Sequence, residues 1–169
     1  MFPLTLFIFV MIEVLIVGYL DFKYKKIMNL WTILNMLIYL LSLLIFPNYY
    51  FFNIATFIWP LGFLIVGFVL FVLKIMGGGD SKFLFSFFLL IPVRLHEVFF
   101  LNLIYATIVV GFLMLIFNTV KNFDKLILAY TYKNLGYVKD VYGTKFAYAP
   151  IIGLSWMLFG WEIRSVFVY

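Results

Sequence analysis

Of the 169 residues, 67% are hydrophobic and only 11% are charged, whereas soluble domains carry about 25% charged residues. This composition excludes an ordinary soluble domain, and the length leaves no room for one beside a bundle of membrane helices. The net charge of +5 sits mostly in lysines between apolar segments, which makes it a topology signal, and no nucleic-acid partner is expected. With no cysteine and a single histidine, His96, disulfides, thiol catalysis and Cys/His zinc sites are excluded. Polar chemistry then falls to carboxylates and hydroxyls, without a cofactor.

The expectation is an all-α membrane protein, one polytopic domain over 1–169, with six transmembrane helices near 2–20, 30–46, 51–76, 81–93, 98–118 and 147–168. A crossing needs about 20 apolar residues. Met1-Phe2-Pro3-Leu4-Thr5 lacks the basic start of a cleaved signal peptide, so the first segment is expected to remain as a span. The third is long, and Pro60 is expected to kink it or to mark where an interfacial stretch gives way to the helix proper. The fourth is short, about 20 Å at the α-helical rise, so its start is expected below the cytoplasmic surface. Between the third and fourth lies Gly77-Gly78-Gly79-Asp80. An irregular glycine run at membrane depth is tolerated only inside protein or beside water. The glycines are expected to supply backbone freedom and room for a substrate backbone, or merely to break a helix at a loop. In the connection near 119–146, Phe123, Leu126, Ile127 and Tyr130 follow helical spacing and read as an amphipathic surface helix, an anchor or a substrate gate.

Ten of the twelve basic residues, Lys23, Lys25, Lys26, Lys74, Lys82, Lys121, Lys125, Lys133, Lys139 and Lys145, fall in three connections. Only Arg94 and Arg164 lie on the other side. Under the positive-inside rule this asymmetry puts the lysine-rich connections in the cytoplasm and both termini outside. His96 and Glu97 then read as solvated residues of an outer loop.

Seven acids occur, and two adjoin the cytoplasmic ends of apolar spans: Asp21 closes the first helix and Asp80 opens the fourth. Two nearby carboxylates cannot both ionise readily, so one keeps a proton while the other acts as a base. Such a pair can hydrolyse a peptide: the ionised partner takes a proton from water, and the protonated one hydrogen-bonds the scissile carbonyl. The plainer readings are a helix-end Asp21 paired with Lys25 and an Asp80 that only caps a helix. Asp21 lies at a helix C-terminus and Asp80 at an N-terminus, so the helix dipoles favour Asp80 as the ionised partner, while the lysines beside Asp21 push the other way.

The order Asp21, Lys23, Lys26, Ile27, Asn29, then Gly77-Gly78-Gly79-Asp80-Ser81-Lys82, then Phe146-Ala147-Tyr148-Ala149-Pro150-Ile151-Ile152-Gly153-Leu154 resembles the type IV prepilin peptidases and archaeal preflagellin peptidases, the GxGD membrane aspartyl proteases. The resemblance spans most of the chain. It implies that Asp21 and Asp80 are the catalytic pair and that the partners are pilin-like or archaellin precursors, cut between a short basic leader and a hydrophobic helix. Met28 stands where many members have proline. The paired-cysteine domain of many bacterial members is missing, which points to a compact peptidase without N-methylation.

Supporting roles are expected for Gly77, Gly78, Gly79, Asn29, Lys82 and Glu13. Lys82 would tune the pair or reach lipid phosphate. Glu13 lies about 80° around the helix from Asp21 and about 12 Å deeper. It reads either as a protonated acid hydrogen-bonded between helices or as a substrate contact. The competing functional class is a small transport or ion-conducting protein whose buried acids hold a cation.

Overall fold

Apolar runs bounded by Pro3, Met28, Asn53 and Pro92 set the helix limits in the computed structural model, which describes residues 2–73, 76–132, 136, 141 and 148–168. The helices are α1 (Leu4–Tyr24), α2 (Asn29–Ile45), α3 (Ile54–Val72), α4 (Gly78–Leu89), α5 (His96–Lys121), α6 (Phe123–Thr131) and α7 (Ala149–Glu162). Two short strands, β1 (Phe2–Pro3) and β2 (Phe167–Val168), pair in parallel and place both ends of the described chain together. The segment expected as a helix over 147–168 therefore stops at Glu162, followed by a 3-10 turn at Arg164–Val166 and then β2.

Three elements are long and apolar enough to cross a membrane: α1, α3 and Val93–Lys121, with α2 a shorter apolar helix. Their exposed faces show what solvent they suit. On α2 the buried residues are Asn35, Tyr39 and Ser42, while Leu30, Ile33, Leu37, Leu40 and Leu44 are all more than half exposed. Polar groups face the protein and leucines face outward, the reverse of a soluble helix. Likewise α3 buries only Thr56, Pro60 and Gly67. These outward faces suit hydrocarbon rather than water, which, with three helices long and apolar enough to cross a membrane, points to a membrane-associated chain.

The centre of the bundle is α4, buried on nearly every side. It packs against α2 and α3, while α1 and α5 pack against α7. Contact with α3 is close enough that a Cβ at Gly67 would collide with the Ser81 side chain. Aromatic rings fill the end remote from the α4 N-terminus: Phe87 meets Trp156 edge-on at 5.1 Å, Phe99 meets Phe159 at 5.4 Å, and Trp156 meets Phe2 at 5.9 Å. These contacts tie α4, α5, α7 and β1 together.

His96 corrects the reading of an outer loop, for it is completely buried. Its Nε2–H is shared between the carbonyls of Ile91 (2.8 Å) and Phe88 (3.0 Å), and the Tyr50 hydroxyl donates to the Leu90 carbonyl at 2.6 Å. Because α4 ends inside the bundle, neither water nor lipid can satisfy its last carbonyls, and these two side chains do so instead. Glu97 is exposed in the first turn of α5.

Within 119–146, α5 runs on to Lys121 and α6 covers Phe123–Thr131. Phe123, Ile127 and Tyr130 are exposed along α6. The stretch after Tyr132, with Lys133, Lys139 and Lys145, lies outside the described residues apart from Gly136 and Val141, as does Lys74.

Candidate active site

The buried stripe of α1 is Leu6, Val10, Glu13, Val14, Val17 and Asp21, a 3.6-residue period that aims both acids of this helix inward. The helix closes at Lys25, a left-handed residue (φ 54) whose N–H donates to the Asp21 carbonyl at 2.8 Å. The Asp21 backbone thus holds the helix end while its carboxyl, 3% exposed, faces the bundle. The sharp turn at Lys25 sends the chain across to Gly79, where the Ile27 carbonyl lies 2.6 Å from the position a Cβ would occupy.

Asp80, 6% exposed, is the third residue of α4, not its cap. Gly77 takes the cap position in extended backbone (φ −75, ψ 144), and its N–H donates to Asp80 Oδ2 at 3.1 Å. Helix thus begins at Gly78, earlier than the expected start at 81. No described glycine has positive φ, so the triplet does not serve through backbone freedom. What counts is the missing Cβ, and the backbone that uses the space at Gly79 is the chain's own Ile27. Gly78 borders the Phe71 ring, whose nearest atoms lie 3.4 Å from the place of its Cβ.

The two carboxyls, from opposite sides of the bundle, come within electrostatic range of one another. Asp21 Oδ2 accepts the Ala149 N–H at 3.4 Å, and Lys25 is near enough to act on its charge. Ala149 opens α7, with Pro150 beside it, so the Ala149 amide and the positive dipole end of that helix face Asp21. The C-terminal dipole of α1 is therefore offset, and helix ends alone do not separate the two acids. Tyr148, half-buried, lies within electrostatic range of Asp80, and its hydroxyl is 3.5 Å from Thr107 Oγ1. Each aspartate is pinned through one oxygen by a backbone amide. Two carboxyls within electrostatic range of one another disfavour simultaneous ionisation.

The structure brings together Asp21, Asp80, Gly77 and Gly79, and adds Ile27, Tyr148 and the Ala149 amide, to which no role was given from sequence. Asn29 opens α2 and is exposed, and Lys82 is exposed on the first turn of α4. Neither is tied to the pair. Glu13 is buried but sits more than two turns down α1, against Asn35 of α2. Of the third stretch, Phe146 and Ala147 lie outside the described residues. Along the side of α1 that adjoins Ala149 runs an apolar groove of about 400 Å³, bordered by Gly18, Tyr19, Pro150 and Gly153. Among the described residues no cluster of acids or histidines is arranged to hold a metal.

No protein-family model matches the chain, and no curated protein or solved structure matches it.

Proposed function

We propose that the chain is a membrane aspartyl endopeptidase that removes the short basic leader from pilin-like or archaellin precursors at the cytoplasmic membrane face. The observation that carries this reading is that Asp21 and Asp80, from helices far apart in sequence, are both buried, both pinned by a backbone amide and within electrostatic range of one another. One aspartate draws a proton from water, and the other donates a hydrogen bond to the scissile carbonyl as the tetrahedral oxyanion forms. The proton that the base gains then passes to the leaving amine. The precursors and the class of cut come from the motif resemblance.

The proposed topology has six spans with both termini outside. Pairing of β1 with β2 supports an even number of crossings. The described lysines at and beside the Asp21 and Asp80 helix ends, with Arg94 and Arg164 at the other ends of α4 and α7, support a cytoplasmic dyad.

Co-expression of candidate precursors with the wild-type chain and with Asp21→Asn and Asp80→Asn tests the reading, with product N-termini mapped by mass spectrometry. Wild type is expected to yield one new N-terminus at the leader junction, and the variants none. Intact precursors with wild type, together with ion flux in liposomes, would establish the transport reading instead.

A further inference from the structure

Away from the aspartate pair, the bundle buries a second polar cluster made by Glu13 of α1, Asn35 of α2 and Ser86 of α4, which are 2%, 0% and 0% exposed. Its hydrogens can be assigned from geometry. Ser86 Oγ donates its single hydrogen to the Phe83 carbonyl at 2.9 Å, so toward Asn35 it can only accept. Asn35 Nδ2 donates to it at 3.4 Å, which fixes the amide orientation and turns Asn35 Oδ1 away from Ser86. The Glu13 side chain lies within hydrogen-bonding reach of Asn35. Yet Asn35 Oδ1 and both Glu13 oxygens are buried without any donor. Three buried acceptor oxygens thus lie around one contact with no hydrogen supplied to any of them.

We propose that Glu13 carries a hydrogen for this contact: it is a neutral carboxylic acid donating to Asn35 Oδ1, and the one-way chain Glu13 to Asn35 to Ser86 to the Phe83 carbonyl sets the placement of α1 relative to α4. The packing makes such a link consequential. Because α1 packs along α7, and α4 along α2 and α3, the helices that bear Asp21 and Asp80 meet mainly through intermediaries. The chain is a polar tie between them through α2. It gives Asn35 Oδ1 a donor in a low-dielectric interior, where an unsatisfied acceptor is costly. Glu13 is then a positioning residue: it acts on the dyad by fixing the helix that carries Asp21. This last step rests on the peptidase reading, whereas the protonated bridge does not.

The test uses the full chain in lipid vesicles. Infrared difference spectra of wild type minus Glu13→Gln report the carboxylic acid C=O stretch, and Asn35→Leu should shift that band because its acceptor is gone. The chain has no cysteine, so spin labels at Phe22→Cys and Lys82→Cys read the distance from α1 to α4. Glu13→Gln keeps a donor for Asn35 Oδ1 and should retain the wild-type distance distribution and cleavage. Glu13→Ala should broaden or shift that distribution and, if the chain is a peptidase, lower cleavage about 100-fold, as misplacement of reacting groups by about 1 Å does. No protonated-acid band assignable to Glu13, or Glu13→Gln behaving as badly as Glu13→Ala, would overturn the proposal. The second result would mean that the charge is required, as in a cation site. A wild type with the band and the distances but no cleavage would refute the peptidase reading alone.

Discussion

Replacing Gly79 by alanine asks whether the glycine triplet serves by the absence of a side chain. The added Cβ would sit 2.6 Å from the Ile27 carbonyl oxygen and 3.4 Å from its carbon, whereas ordinary contact begins at 3.4 Å. The obstacle is backbone, held by the turn at Lys25, so no rotamer change relieves it. Either α4 or the segment after α1 must move by most of that difference. Overpacking of this kind costs about 1–3 kcal/mol, offset by a gain of about 1 kcal/mol for alanine over glycine in a helix. The expected net loss is modest, about 0–2 kcal/mol. Activity should suffer more, because the segments forced apart carry the two aspartates, and displacement approaching 1 Å costs up to about 100-fold in rate. Gly111→Ala is the control, since a Cβ there meets nothing within 4 Å. Gly78→Ala tests intermediate crowding against the Phe71 ring. Precursor cleavage in lipid vesicles, read beside the thermal midpoint of each variant in detergent, should rank Gly79→Ala far below Gly78→Ala and Gly111→Ala in rate. If Gly79→Ala cleaves as fast as Gly111→Ala, the close approach of Ile27 does not set the dyad and the reasoning fails.

Two further changes probe the frame around the site. His96→Ala takes the side-chain donor from the Ile91 carbonyl, while the Phe88 carbonyl keeps the Ile91 N–H, and should lower stability by about 1–3 kcal/mol, whereas Arg94→Ala, on an exposed neighbour, should stay within about 0.5 kcal/mol; thermal unfolding of both in detergent checks this. Gly67→Ala should destabilise the α3–α4 contact by about 1–3 kcal/mol, and adding Ser81→Gly, which removes the atoms in the way, should recover most of the loss. A double variant no more stable than Gly67→Ala would show that the clash lies elsewhere.

The membrane class of the fold was legible because lipid imposes long apolar helices and leaves charge only at their ends. The inward aim of Glu13 and Asp21 followed from their spacing on one helical face. What was not legible turned on burial. His96 reads as a loop residue beside Pro92 and Glu97, because nothing local reveals that α4 ends inside the bundle and needs donors there. The start of α4 was placed at 81 because glycines weaken helices. In the fold, Gly78 and Gly79 are helical, and the close approach of the Ile27 carbonyl requires Gly79 to lack a side chain, whereas a Cβ at Gly78 would only touch the Phe71 ring. The Ala149 amide had a signal in Pro150, which favours a helix start and so implies free amides nearby. Its meeting with Asp21, 128 residues earlier, is a property of the tertiary fold. Lys82 and Asn29 stand out through their neighbours in sequence, and both are exposed in the fold.

The most direct test of the aspartate pair is a double-mutant cycle on cleavage rate, with Asp21→Asn, Asp80→Asn and the combined variant inserted in vesicles with a precursor that wild type cuts. Groups that act as one unit are non-additive. Each single variant should therefore lose nearly all activity, and the combined variant should be no slower than the slower single. Substantial cleavage by either single variant, or losses that multiply in the combination, would contradict a shared catalytic dyad.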